Sequence, residues 1–272
     1  MKTKNVKTQT GLGHKLIAYT VIAVLVVGGL CFCFTKLREI YLEQCEITDF
    51  DRQVEIFSGK MVHPLTIAEE LGLKKGANVA HINFKEKREN LLARVPNLRS
   101  IQITRKLPNR VIVKAEERLP IARLGVRGKQ GSDGRVVDAE GMVFVWHRET
   151  QMLPIIREPA TSNSPKGHFV SGRTQAALTL IETCRSPDFL ELGILEVDTS
   201  KTDFLIATLN NYSKLKIRWQ DRNERTAKSR ESLSSQLVNL RAAIRSRVAP
   251  GTVIWNATVP NRIFADTQEN LQ

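Results

Sequence analysis

The sequence predicts an α+β protein with a single N-terminal transmembrane helix. A small β-α-α-β-β module follows, then a mixed α+β domain with a mainly antiparallel sheet. Three observations carry this. Residues 16–34, "LIAYTVIAVLVVGGLCFCF", run for 19 residues without a charge. At about 1.5 Å rise per residue they span roughly 28 Å, close to the hydrocarbon thickness of a bilayer. Residues 94–124, "RVPNLRSIQITRKLPNRVIVKAEERLPIARL", place two alternating runs around a Leu-Pro-Asn turn, the period of half-buried strands. After Pro120, strand-like runs outnumber helical ones, as in an α+β sheet domain.

The apolar segment is longer than a signal-peptide core and lacks a small-x-small cleavage site around Phe32 to Lys36, so it reads as a retained helix. Leu30 before Cys31 does not suit a lipoprotein signal. Gly28-Gly29 is tolerated in a membrane helix. Lys2, Lys4, Lys7 and Lys15 precede it without an acid, whereas Lys36 and Arg38 after it are offset by Glu39 and Glu43. The expected topology is a cytoplasmic tail over 1–15, a span over 16–34, and everything beyond on the far side. Residues 35–53 read as a juxtamembrane stalk.

The module is expected over 54–119. "VEIFSG" (54–59) is a strand stopped by Gly59. Pro64 opens a helix to Leu71, where its missing N–H costs nothing, and that helix has Ile67, Ala68 and Leu71 on one side. Asn83 and Glu86 form a capping-box pattern for a second helix. Its apolar stripe is Leu91, Leu92 and Val95, and Pro96 stops it. Ile101 and Ile103 alternate on the next strand, Pro108 presets the turn, and Val111, Val113 and Ala115 alternate on the return. Ile103 and Val111 are expected to face the helices.

The second domain is expected over 120–265, with a tail over 266–272. "GRVVDAEGMVFVW" (134–146) reads as a hairpin turning at Asp138 to Gly141. "LPII" (153–156) is short and apolar, and 158–170 is a loop. Gly172 to Arg185 is helical, with Ala176, Leu180 and Ile181 apolar. Alternating runs occupy 192–199, 203–209 and 215–220. A charged helix over about 224–247 carries Leu233, Leu237, Leu240 and Ile244 at helical spacing. "GTVIWNATV" (251–259) is the last strong strand. Pro260 interrupts it, and "RIF" (262–264) can resume pairing only at an edge.

No pattern carries catalysis. Histidines 14, 63, 81, 147 and 168 are scattered. "GVRGKQGS" (125–132) lacks the glycine spacing of a phosphate loop and has Gln130 where Ser or Thr would bind magnesium. Asp133 and Asp138 read as hairpin residues. Asn211-Tyr212-Ser213 and Asn256-Ala257-Thr258 match the glycosylation pattern, a short match that arises often by chance. No catalytic, cofactor-binding or metal-binding residue is assigned, no cofactor is expected, and the chain reads as a binding scaffold rather than an enzyme. The net charge of +13 leaves about +9 after the tail's four lysines. Beyond a membrane this fits anionic head groups, wall polymers or acidic proteins, or simply a solvated basic surface, rather than nucleic acid. Cys45 and Cys184, the two cysteines outside the span, are no disulfide framework.

"PNLRSIQITRKLPNRVIVKAEERLPIA" resembles the end of the POTRA domain in the bacterial cell-division family FtsQ/DivIB. The family pattern falls on Pro96, Arg105, Pro108, Glu117, Arg118, Pro120 and Ala122, with Leu107 where the family usually has Trp. "VVDAEGMVF", "LPII" and "VIWNATVP" resemble its later elements, with Asn256 in place of the usual Asp. "YSKLKIRWQ" lacks the usual Gly. The resemblance implies a non-enzymatic scaffold of the divisome, single-pass in the cytoplasmic (inner) membrane at the division septum. It implies as partners bitopic coiled-coil division proteins of the FtsB/DivIC and FtsL type, and other divisome membrane proteins. The alternative is a POTRA component of outer-membrane protein assembly or secretion, which would place POTRA repeats before a large barrel. The expected partner site is the last strand and the segment beyond it: Trp255, Asn256, Arg262, Ile263 and Phe264. Phe264 either docks a partner or packs on its own sheet. Trp255, between Val253 and Ala257, faces the same choice.

Overall fold

The computed structural model describes residues 10–127, 134–147, 150, 152–160, 164–170, 172–246 and 254–266. Asp133, Val253, most of the 125–132 loop, the first nine residues and 267–272 lie outside that set. The chain forms two compact units. One gathers Met1–Phe57, Pro64–Arg88 and Gln102–Lys114; the other gathers Ser58–His63, Glu89–Ile101 and Ala115–Gln272.

In the first unit, α1 (Thr10–Gln44) is one unbroken 35-residue helix, apolar and long enough to cross a membrane from Tyr19 onward. The sequence reading expects a stalk after Phe34, but the helix continues to Gln44. "TKLREIYLEQ" contains no Pro or Gly and is rich in helix formers, and Lys36 pairs with Glu39 one turn on at 2.8 Å. A short α2 (Phe50–Gln53) is capped by Asp49 and leads into β1 (Val54–Phe57). Next come α3 (Pro64–Leu71), with Ile67, Ala68 and Leu71 buried, and α4 (Phe84–Arg94). At the head of α4, Asn83 accepts from the Glu86 N–H while its amide donates to the Glu86 carboxylate. β2 (Leu98–Lys106) and β3 (Arg110–Glu117) complete a three-stranded sheet in the order β1-β3-β2. β1 lies parallel to β3, with Val54 opposite Val111 and Ile56 opposite Val113. The β-α-α-β-β order holds. Val111 and Val113 are fully buried and Ile101 nearly so. Ile103 is only half-buried, because β2 is an outer strand and its last residues run toward the exposed turn.

The second unit is built on nine strands: β4 (Pro120–Val126), β5 (Arg135–Asp138), β6 (Val143–Val145), β7 (Ile155–Glu158), β8 (Ile194–Asp198), β9 (Leu205–Leu209), β10 (Lys214–Ile217), β11 (Ile254–Val259) and β12 (Arg262–Asp266). Their order is β12-β11-β10-β9-β8-β7-β4-β5-β6. Among the described residues the sheet is open, with β12 and β6 as its ends. Pairing is mainly antiparallel, with parallel steps at β10–β11, β4–β7 and β7–β8. The sequence reading left β4 out of the sheet, although it is a central strand. Helices α5 (Gly172–Cys184) and α6 (Ala227–Arg245) cover one face. Ala177, Leu180, Leu233, Leu237 and Leu240 meet alternate strand residues such as Leu124, Ile156, Ala207, Leu215 and Trp255 in one apolar core. Burial of this area drives the domain's folding.

Candidate docking edge

The two ends of the nine-stranded sheet are finished differently. At the β6 end, Val143 N–H donates to the His168 carbonyl at 3.0 Å and the Val143 carbonyl accepts from Gly167 at 2.8 Å. The Val145 carbonyl accepts from the Asn97 amide at 2.8 Å. Segment 164–170 is thus a strap along this edge. Its start is tied to the fully buried Glu158, which accepts from Ser164 N–H at 3.1 Å, Ser164 Oγ at 2.6 Å and Thr174 Oγ1 at 2.9 Å. The Arg135 guanidinium lies 3.8 Å from Glu158 and donates to the Ser164 carbonyl. Away from the helices, Phe144 is buried here with Trp146 edge-on at 6.0 Å.

At the other end, Pro260 and Asn261 make a tight turn, with Asn261 at φ 57°, a left-handed conformation that Asn tolerates. Val259 faces Arg262, Asn256 faces Phe264 and Trp255 faces Ala265. Between the first two pairs, Ala257 and Thr258 oppose Ile263 alone, a β-bulge. Asn256 Oδ1 takes up the Thr258 N–H at 3.1 Å and the Thr258 hydroxyl at 2.8 Å. β12 pairs only with β11, so its outer side is a free edge among the described residues.

The predicted partner residues divide by parity. Trp255 is 7% exposed and belongs to the core, and Ile263 packs partly against it. Alternation sends Asn256, Arg262 and Phe264 to the opposite face, where Phe264 is 49% exposed. Trp255 therefore leaves the set of surface candidates.

Sequence reasoning missed the cations on this face. Leu215, Ile217 and Trp219 are in the core, so Lys214, Lys216 and Arg218 project away from it. Lys216 Nζ sits 4.1 Å above the Phe204 ring. Among the described residues no carboxylate pairs with Lys214, Lys216, Arg218 or Arg262. The acids of β8 are already engaged, Glu196 with Arg157 at 3.1 Å and Asp198 with Arg127 at 3.3 Å. The period-2 pattern of "KLKIR" was the available signal.

The family-motif residues lie elsewhere and act as fasteners. Glu117 accepts backbone N–H groups from Lys60, Met61 and Val62 at 3.0, 2.8 and 2.8 Å. A Cβ on Gly59 would fall 2.0 Å from that carboxylate, so a larger residue would push the Glu117 side chain off these donors. Arg118, 8% exposed, donates to Asp138 at 2.6 Å and Glu140 at 2.9 Å. Arg99 bridges Glu140 and Glu116. Hydrogen bonds from Arg118 and Arg99 hold the Glu140 carboxyl below the usual carboxylate range. Arg105 stacks 4.6 Å over Phe84 and donates to the Ile82 carbonyl. Pro108 sits in the β2–β3 turn and Pro120 opens β4. Residues 51–118 match the family model described as "POTRA domain, FtsQ-type". This segment is an FtsQ-type POTRA domain. No curated protein matches the chain. The POTRA motif residues Arg105, Glu117 and Arg118 spend their polar groups inside the protein. Leu107, at the position where the resemblance expects Trp, is exposed.

Among the described residues no three His, Cys, Asp or Glu side chains gather as metal ligands. Cys45 and Cys184 are both buried free thiols, and burial pushes the Cys184 thiol up to about 12.

Proposed function

We propose that the protein is a non-enzymatic scaffold of the bacterial divisome. In this reading it sits as a single-pass protein in the cytoplasmic membrane at the septum, with its N-terminus cytoplasmic. It recruits bitopic coiled-coil division proteins of the FtsB/DivIC and FtsL type. The observation that carries this is the free β12 edge, in a chain that also holds an FtsQ-type POTRA domain and a helix able to cross a membrane. An outer strand offers a row of backbone donors and acceptors to an added strand, and neighbouring side chains give selectivity. Phe264 supplies an apolar contact beside that row. The cations of β10 and Arg262 favour an acidic partner segment. The lysine asymmetry around α1 supports the orientation.

The test is affinity recovery of bitopic proteins from membranes using the full chain and a Phe264→Ala variant, read by mass spectrometry. The proposal requires recovery by the native chain, weakened in the variant and reduced by added salt. Equal recovery by both chains with no salt dependence would remove β12 from the docking surface. Recovery of outer-membrane assembly proteins instead would overturn the divisome assignment.

A further inference from the structure

Where α1 ends, the chain does not go slack. The Leu42 carbonyl in its last turn accepts from the Asn78 amide at 2.7 Å and from the Cys45 N–H at 3.1 Å. The next residues then lace into the loop after α3. Val79 N–H donates to the Cys45 carbonyl at 2.9 Å, Ile47 N–H to Ala77 at 2.9 Å, and Gly76 N–H to Ile47 at 2.8 Å. Glu46 and Asn78 form a β-bridge. Cys45, Ile47 and Val79 are fully buried and Leu73 nearly so. Thr48 and Asp49 N–H both reach Gln53 Oε1 at 2.8 Å, and α2 runs directly into β1. No Gly or Pro occurs between Leu30 and Ser58.

We propose that this joint makes the membrane helix and the first unit one rigid body. The orientation of α1 in the bilayer then sets the orientation of the first unit's part of the β1-β3-β2 sheet. A tilt or rotation imposed on α1 by a neighbour in the membrane is delivered to that sheet without loss. A hinge needs a few residues free to absorb a φ/ψ change. Here the residues from Cys45 to Asp49 are held by paired backbone groups or buried side chains, the opposite of a low-stability segment. The ten residues past Phe34 add about 15 Å of helix. That exceeds the few ångströms of head-group layer per leaflet, so the joint stands clear of lipid. The inference rests on α1 crossing a membrane and is independent of what binds β12.

Spin labels carried on unnatural residues at positions 39 and 69, in the full chain in lipid nanodiscs, read the coupling as a distance distribution. The native chain is expected to give one narrow distance. Inserting Gly-Ser-Gly-Ser after Gln44 adds a coil of about 11 Å root-mean-square length. It should broaden the distribution by about that amount while leaving the Cys45–Val79 pairing in place. Asn78→Ala should give an intermediate width. A native distribution as broad as that of the insertion variant would overturn the proposal.

Discussion

The ends of the nine-stranded sheet show two answers to the same problem, an outer strand with unpaired backbone groups. At β6 the answer is complete. The 164–170 strap occupies the edge, Asn97 takes another carbonyl, and Phe144 is buried. At β12 nothing described lies beyond the strand, Phe264 stands half-exposed, and no described carboxylate pairs with Lys214, Lys216, Arg218 or Arg262. The contrast leaves β12, among the described residues, as the uncapped end on which the proposed docking rests.

Undoing the capped end should have the largest effect. Glu158→Ala removes the buried acceptor of Ser164 and Thr174 and the carboxylate 3.8 Å from the Arg135 guanidinium. It should cost about 3–5 kcal/mol, as for other broken buried ion pairs. Denaturant unfolding measures that loss, and size-exclusion chromatography should show new association through the bared β6. At the open end the costs shrink. Ile263→Ala removes a side chain only partly in the core and should cost about 1–2 kcal/mol, below the range for fully buried sites. Phe264→Ala should change stability by less than about 1 kcal/mol, yet reduce partner recovery. A large fall in melting temperature would mean that Phe264 serves the fold and would erase the contrast between the ends. The smallest effect concerns pH. The Glu140 pKa is depressed in the folded state by Arg118, then Arg99. Its stabilisation is therefore present above the ordinary glutamate value near pH 4.3 and lost as pH falls through the lower folded value. Glu140→Gln should flatten the acid limb of a stability–pH curve. An unchanged slope would place the acid sensitivity elsewhere.

Much of this was legible in the residues because local chemistry and tertiary structure agreed. Pro64, the Asn83–Glu86 cap and the alternation of Val111 with Val113 each act over a few residues, and the β-α-α-β-β module followed from them. What escaped depends on partners distant in sequence. β4 is missing from the sequence reading because "PIARLGV" shows weak alternation, and its neighbours β5 and β7 bury it. The helical extension to Gln44 ends where it does because Asn78 meets Leu42. Ile103 fits the strand period, but the period cannot say that β2 is an outer strand. At the candidate site, the edge position of residues 262–264 followed from Pro260. The outward row of Lys214, Lys216 and Arg218 required knowing which side of β10 the helices cover.

The two buried thiols have a consequence for how the folded protein meets a reductant. Only a thiolate attacks a disulfide, and at pH 7 a thiol with a pKa of about 12 is ionised to roughly one part in 10⁵. Burial therefore makes Cys184 a slow partner in thiol exchange while the domain is folded, and Cys45 is fully buried as well. With Cys45 and Cys184 both buried as free thiols, the melting temperature of the folded domains is expected to be the same with and without added reductant.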